Sequence, residues 1–80
     1  MNGNKIKVAV IGATGYVGLD LVYLLSHHPR VRILNLCATK NLGSRISRFD
    51  KRLKKKLPII SDIKKVEWNK IDLIFLSLPN

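Results

Sequence analysis

The sequence predicts an α/β fold, a parallel sheet covered by helix, and three observations carry that prediction. An apolar run, Ile6-Lys7-Val8-Ala9-Val10-Ile11, passes directly into three glycines at spacing three, Gly12, Gly15 and Gly18. A helical apolar pattern begins at Tyr16, within the glycine stretch. Two further apolar runs follow, Val31 to Cys37 and Ile71 to Leu78. Strand patterns separated by a helix-length pattern are the signature of parallel strands joined by crossovers.

Lys5 to Ile11 reads as the first strand. Its apolar residues are mostly β-branched and nearly continuous, which suits a strand covered on both faces. Tyr16 to about His28 reads as a helix, with Val17, Leu21, Leu24 and Leu25 on one face and Tyr16, Asp20, Tyr23 and His27 on the other. Pro29 ends it, because the residue before a proline is pushed out of the helical region. Val31 to Cys37 completes a strand–helix–strand unit, whose right-handed crossover sets the two strands parallel. Thr39 to Lys56 is irregular and basic, with a short helical turn expected near Ser44 to Phe49. Leu57-Pro58-Ile59-Ile60 is apolar without a defined period, and Ile71 to Leu78 is a strand stopped by Pro79.

Eighty residues make at most one small domain, which buries only about 60% of its unfolded surface. No apolar run reaches the length of a membrane span, and the N-terminus lacks the regions of a secretory signal. The single cysteine, Cys37, cannot form an internal disulfide, which fits a reducing, cytoplasmic setting. The formal charge of +10 is concentrated between Arg45 and Lys56, where only Asp50 opposes seven cations. Such a block suits a solvated loop, attraction of a phosphorylated ligand, or a polyanion. Phe49 alone is interleaved for base stacking, so nucleic acid is not the expected partner. A sheet with one long helix leaves a face bare, so the chain is expected to be the N-terminal part (1–80) of a nucleotide-binding domain in a larger protein. A domain that covers its sheet by dimerising is the alternative.

The glycine stretch carries the chemistry. Gly12 permits the turn out of the first strand, Gly15 lets a pyrophosphate approach the backbone, and Gly18 lets the helix pack closely on the sheet. The helix N-terminus adds free N–H groups and the positive end of the dipole. Thr14 has a hydroxyl for a phosphate oxygen or for the helix end. This context makes the fold a Rossmann-type parallel sheet, present in part as one βαβ unit plus at least one further strand. The spacing is G-x-x-G-x-x-G, a variant common among NADP-dependent enzymes.

The end of the second strand discriminates between dinucleotides. A carboxylate there holds the ribose 2′-hydroxyl of NAD. This chain has Cys37-Ala38-Thr39-Lys40 and no acid between Leu21 and Phe49. Thr39 can donate a hydrogen bond and Lys40 can attract a phosphate, so NADP(H) is the expected cofactor. Asp20 lies inside the helix and reads as a solvent-facing residue, and Cys37 as a buried structural thiol. His27-His28 suits the helix C-terminus, no third ligand is spaced for a metal, and Trp68 is expected to cover apolar surface.

Three stretches resemble the N-acetyl-γ-glutamyl-phosphate reductase family of the semialdehyde dehydrogenase superfamily. They are Val8 to Gly18, with tyrosine after the second glycine; Leu24-Leu25-Ser26-His27-His28-Pro29; and Asp72-Leu73-Ile74-Phe75-Leu76-Ser77-Leu78-Pro79. The resemblance covers nearly the whole chain and about the first quarter of such an enzyme. It implies that Gly12, Thr14, Gly15, Tyr16 and Val17 line the pyrophosphate, with Thr39 and Lys40 near the 2′-phosphate. It also implies that Leu78 and Pro79 touch the cofactor from the last strand. In the family a downstream cysteine forms a thioester with the acyl phosphate, aided by a histidine, and NADPH reduces it to the semialdehyde. Both residues would lie in a C-terminal catalytic domain absent from these 80 residues, so no catalytic residue is named here, and the full-length protein is expected to be a homo-oligomer. Aspartate-semialdehyde dehydrogenase and short-chain-type NAD(P)-binding reductases or epimerases are the neighbouring alternatives. A non-catalytic nucleotide-binding module is the third.

Overall fold

The computed structural model describes residues 5–53 and 56–77. Four parallel strands form one sheet in the order β3-β2-β1-β4, with β1 at Ile6–Ile11, β2 at Val31–Cys37, β3 at Ile60–Ser61 and β4 at Leu73–Leu76. One α-helix, α1 (Tyr16–Ser26), connects β1 to β2. The described residues of the other connections are irregular, with 3₁₀ turns at Ile46–Arg48, Ile63–Lys65 and Trp68–Lys70.

The register divides the side chains into two layers. Val8 lies opposite Ile33 and Leu73, and Val10 opposite Leu36 and Phe75. Val8, Val10, Ile33 and Leu36 build the main core with Val22 and Leu25 of α1 and with Ile46, Leu53 and Ile60, and Phe75 packs against it, whereas Leu73 on the edge strand is 47% exposed. On the other face Ile11 and Cys37 meet Val66, with Ile71 packed against them. A bulge in β2 at Leu34, between the Val8–Ile33 and Ala9–Asn35 pairs, keeps Val8 with Ile33 and Val10 with Leu36 in one layer.

Three element boundaries differ from the sequence reading. The helix stops at Ser26 instead of His28. Ser26 Oγ donates to the Tyr23 carbonyl at 2.8 Å and His27 Nδ1 lies 2.9 Å from the same oxygen, while the His27 N–H turns to Leu24. The competition for the Tyr23 carbonyl closes the helix before Pro29 has to. Strand β4 runs only from Leu73 to Leu76. It is extended by Asp72, whose N–H donates to the Lys7 carbonyl and whose carboxylate accepts the Lys7 N–H, and by the Ser77 N–H on the Ile11 carbonyl. The undefined Leu57–Ile60 patch ends in the two-residue strand β3, so the strand at Leu73 is the fourth among the described residues.

The buried side of α1 also differs. Gly18, Val22 and Leu25 face the sheet, whereas Val17 and Leu24, expected there, are 71% and 64% exposed. Gly18 decides the rotation: it alone is small enough to lie against the turn after β1, and Val22 and Leu25 follow it one and two turns later.

The basic stretch is anchored. Ile46 and Leu53 are buried in the core and Phe49 packs against it. Arg52 lies over the Tyr23 ring, 4.5 Å from its centre, and pairs with Asp50 and Asp20 at 2.6 and 2.7 Å. Asp20 is therefore solvent-facing but also one end of a clasp between α1 and this loop. Trp68 remains 44% exposed and covers less apolar surface than its type suggests.

Candidate dinucleotide site

The chain leaves β1 toward β2 and β3, then returns on the other side of β1 to form β4. Ligands of open parallel sheets settle beyond the carboxyl ends of the strands at such a reversal. The glycine turn stands there. Gly12 adopts φ +81°, in the left-handed region that glycine enters freely. Its N–H and that of Ala13 both donate to the Cys37 carbonyl, at 2.9 and 3.0 Å. One carbonyl at the end of β2 thus ties the glycine turn to the segment that begins with Ala38, Thr39 and Lys40.

Gly18 and Gly15 are small for different reasons. A Cβ on Gly18 would stand 2.1 Å from the Gly12 carbonyl oxygen and 3.0 Å from Ala13 backbone atoms. Gly18 therefore serves the close packing of the helix against its own turn. A Cβ on Gly15 would meet nothing nearer than the Gly12 oxygen at 3.7 Å, an ordinary contact. The fold itself does not require glycine at position 15, and the space in front of it is open to a ligand.

Helix α1 begins at N-cap Gly15 with no side-chain cap and no acidic residue in its first turn. Its first intrahelical bond is Leu19 N–H to the Gly15 carbonyl. The leading N–H groups and the positive dipole end are left for an anion. The Thr14 hydroxyl does not cap the helix. Tyr16 is 93% exposed, an aromatic ring standing in water at the mouth of the turn.

Thr39 and Lys40 are exposed at the end of β2, with no carboxylate paired to Lys40 among the described residues. Asp62 follows β3, and its Oδ1 accepts the Lys64 N–H at 2.9 Å as a turn cap. Cys37 is 1% exposed, and burial pushes its thiol pKa up; Ser61 Oγ, 4.0 Å away, opposes the shift and the Asp62 charge adds to it. The arrangement gives a structural thiol at the strand end, not a nucleophile. Leu78 and Pro79 lie outside the described residues.

Sequence reasoning missed Asn41, which has φ +61°, and its partner turn at Gly43, φ +87°. The signal was available in Asn41-Leu42-Gly43-Ser44, all but Leu42 being favoured turn residues. A cleft of about 610 Å³ lies elsewhere, at the amino ends of the strands, and is lined by Lys5, Arg32, Arg45 and Lys56 among others. The glycine turn borders open solvent rather than this cleft. The residues at the carboxyl end of the sheet fit a dinucleotide on three counts: open N–H groups, a turn free of side-chain bulk, and a cation without a competing acid.

Residues 7–80 match the family described as "Semialdehyde dehydrogenase, NAD binding domain". N-acetyl-γ-glutamyl-phosphate reductase of Ehrlichia ruminantium is 49% identical over 78 residues, covering 95% of this chain and 22% of that protein. The protein of the same name from Rhodospirillum rubrum is 39% identical with the same coverage. Among solved structures, aspartate semialdehyde dehydrogenase with NADP from Candida albicans superimposes with a TM-score of 0.75 at 26% identity, over 95% of this chain and 24% of that one. The chain thus spans 22% of the length of these reductase relatives. The fold matches the parallel sheet read from the sequence, and no helix among the described residues is long and apolar enough to cross a membrane. The chain belongs to the semialdehyde dehydrogenase family and matches its NAD-binding domain.

Proposed function

We propose that residues 1–80 are the N-terminal part of the dinucleotide-binding domain of an NADPH-dependent acyl-phosphate reductase. The substrate in this reading is N-acetyl-γ-glutamyl phosphate, reduced to its semialdehyde in arginine biosynthesis. The observation that carries the nucleotide part is the Cys37 carbonyl, which fastens the glycine turn to an acid-free strand end carrying Thr39 and Lys40. The reductases at 39% and 49% identity support the substrate.

When bound, NADPH supplies a hydride. The role of this chain is to hold and orient the donor. The leading N–H groups of α1, Tyr16 to Gly18, face the pyrophosphate, with the Thr14 hydroxyl and the positive end of the helix beside them, while the Gly12 and Ala13 N–H groups hold the turn on the Cys37 carbonyl. Gly15 admits the phosphates to van der Waals contact. Tyr16 and Val17 flank the turn on the solvent side. Thr39 and Lys40 take the ribose 2′-phosphate, where an ammonium acts as a point charge. Attack on the acyl phosphate belongs to the C-terminal part that the longer relatives possess. A homo-oligomeric enzyme working in the cytoplasm completes the reading.

Titration of the chain with NADPH and NADH, followed by nucleotide fluorescence, tests it. NADPH is expected to bind at least several-fold more tightly, and Lys40→Glu should remove that preference while leaving NADH binding intact. Equal affinities in the unmodified chain, or tighter NADH binding, would refute the 2′-phosphate assignment.

A further inference from the structure

We propose that Asn41 is a positioning residue that sets nucleotide preference by holding Thr39 and Lys40 in place. The inference rests on the 2′-phosphate reading above. Residues 39–42 bridge two fixed points. On one side the Ala38 N–H donates to the Ser61 carbonyl at 3.3 Å, directly after the Cys37 carbonyl that holds the glycine turn. On the other, the Gly43 N–H donates to the Ile60 carbonyl at 2.7 Å, and the Ile60 N–H donates to the Ser44 carbonyl at 2.9 Å. Both ends are thereby stapled to β3 through backbone groups.

Between the staples no side chain is anchored. Thr39, Lys40, Asn41 and Leu42 are all exposed. What gives the bridge its shape is the backbone reversal at Asn41, the single non-glycine residue with positive φ among the described residues. Its carbonyl accepts the Ser44 N–H at 3.2 Å and closes the turn into Gly43. Asparagine enters the left-handed region several-fold more often than most residues, and a β-branched residue there is a true outlier. Relaxing position 41 to an extended backbone would redirect Lys40, its immediate neighbour, while both staples and the glycine turn could persist. Asn41 thus acts through its backbone conformation on the group that meets the 2′-phosphate.

Asn41→Val and Asn41→Gly separate this from other roles. The left-handed penalty on a branched residue corresponds to roughly 5- to 30-fold in a conformational equilibrium. Asn41→Val should weaken NADPH binding by about that factor and change NADH binding by less than about twofold. Hydrogen exchange at the Ser44 amide, which donates to the Asn41 carbonyl, should accelerate in the same variant. Asn41→Gly should retain NADPH binding within about threefold, because glycine adopts the same conformation freely. Unchanged NADPH affinity in Asn41→Val would overturn the inference, as would an equal loss of both nucleotides or an equal loss in Asn41→Gly. If the unmodified chain shows no NADPH preference, the 2′-phosphate reading itself fails and takes the inference with it. If that preference is present and Asn41→Val keeps it, the inference alone fails.

Discussion

Replacing Gly18 by alanine sets two effects against each other. Helix propensity favours alanine over glycine by about 1 kcal/mol inside a helix. The packing opposes it, because the new Cβ would stand 2.1 Å from the Gly12 oxygen, well inside the 3.4 Å where ordinary contact begins. The obstructing atoms are backbone of the turn, pinned by the bonds of Gly12 and Ala13 to the Cys37 carbonyl, so no flexible side chain can yield. Overpacking of this kind costs roughly 1–3 kcal/mol, and a rigid neighbour puts it at the upper end. The net loss is about 2 kcal/mol. Against roughly 4–12 kcal/mol for a chain of this length, that lowers Tm by about 8–16 °C. Urea and thermal melts followed by circular dichroism measure it. Gly15→Ala is the control: its Cβ meets only ordinary contact, so the loss of stability stays near 1 kcal/mol or below, while nucleotide affinity falls. A Gly18→Ala chain as stable as the original, or more so, would refute the steric argument and leave propensity as the winning term.

Three further outcomes follow from the same structure. Leu25→Ala should cost roughly 2–5 kcal/mol by emptying a core position, and Leu24→Ala, one residue away on the exposed flank, about 0.5 kcal/mol or less; equal losses in urea melts would contradict the observed rotation of α1. Cys37 should react slowly with a disulfide reagent at pH 8 in the folded chain and quickly in denaturant, since burial raises its pKa and shields it; rapid reaction in the native state would show that β2 does not end as described. The Arg52 side chain beside Asp50 holds that carboxyl below the ordinary value of about 3.9. Its contribution is therefore complete above that value and lost as pH falls through the lowered folded one. The Asp50→Asn chain should show a shallower acid limb in stability against pH, and an unchanged limb would remove Asp50 from the clasp.

Much of this architecture was legible because local chemistry and global fold agree. The β-branched run before Gly12, the helix-length pattern after it, and Pro29 as its stop located β1, α1 and β2 within two residues. The glycine turn was legible because its three glycines have distinct steric tasks, and the geometry separates them: left-handed φ at Gly12, open space at Gly15, close packing at Gly18. Other features depended on tertiary contacts that a linear pattern does not carry. The orientation of α1 follows from the contact of Gly18 with its own turn, which outweighs the apolar stripe through Val17 and Leu24. Strand β3 is two residues long and exists by pairing with Leu36 and Cys37. The clasp of Arg52 on Asp20 spans 32 positions of sequence. The bend at Asn41 was within reach, as a turn signal immediately after the candidate 2′-phosphate residues.

Backbone amide shifts of the chain on addition of NADPH test the central claim most directly. Perturbations should concentrate at Gly12 to Gly18 and at Thr39 to Asn41, the two segments joined through the Cys37 carbonyl. Perturbations confined to the cationic cleft around Lys5, Arg32, Arg45 and Lys56, with the glycine turn unmoved, would contradict it.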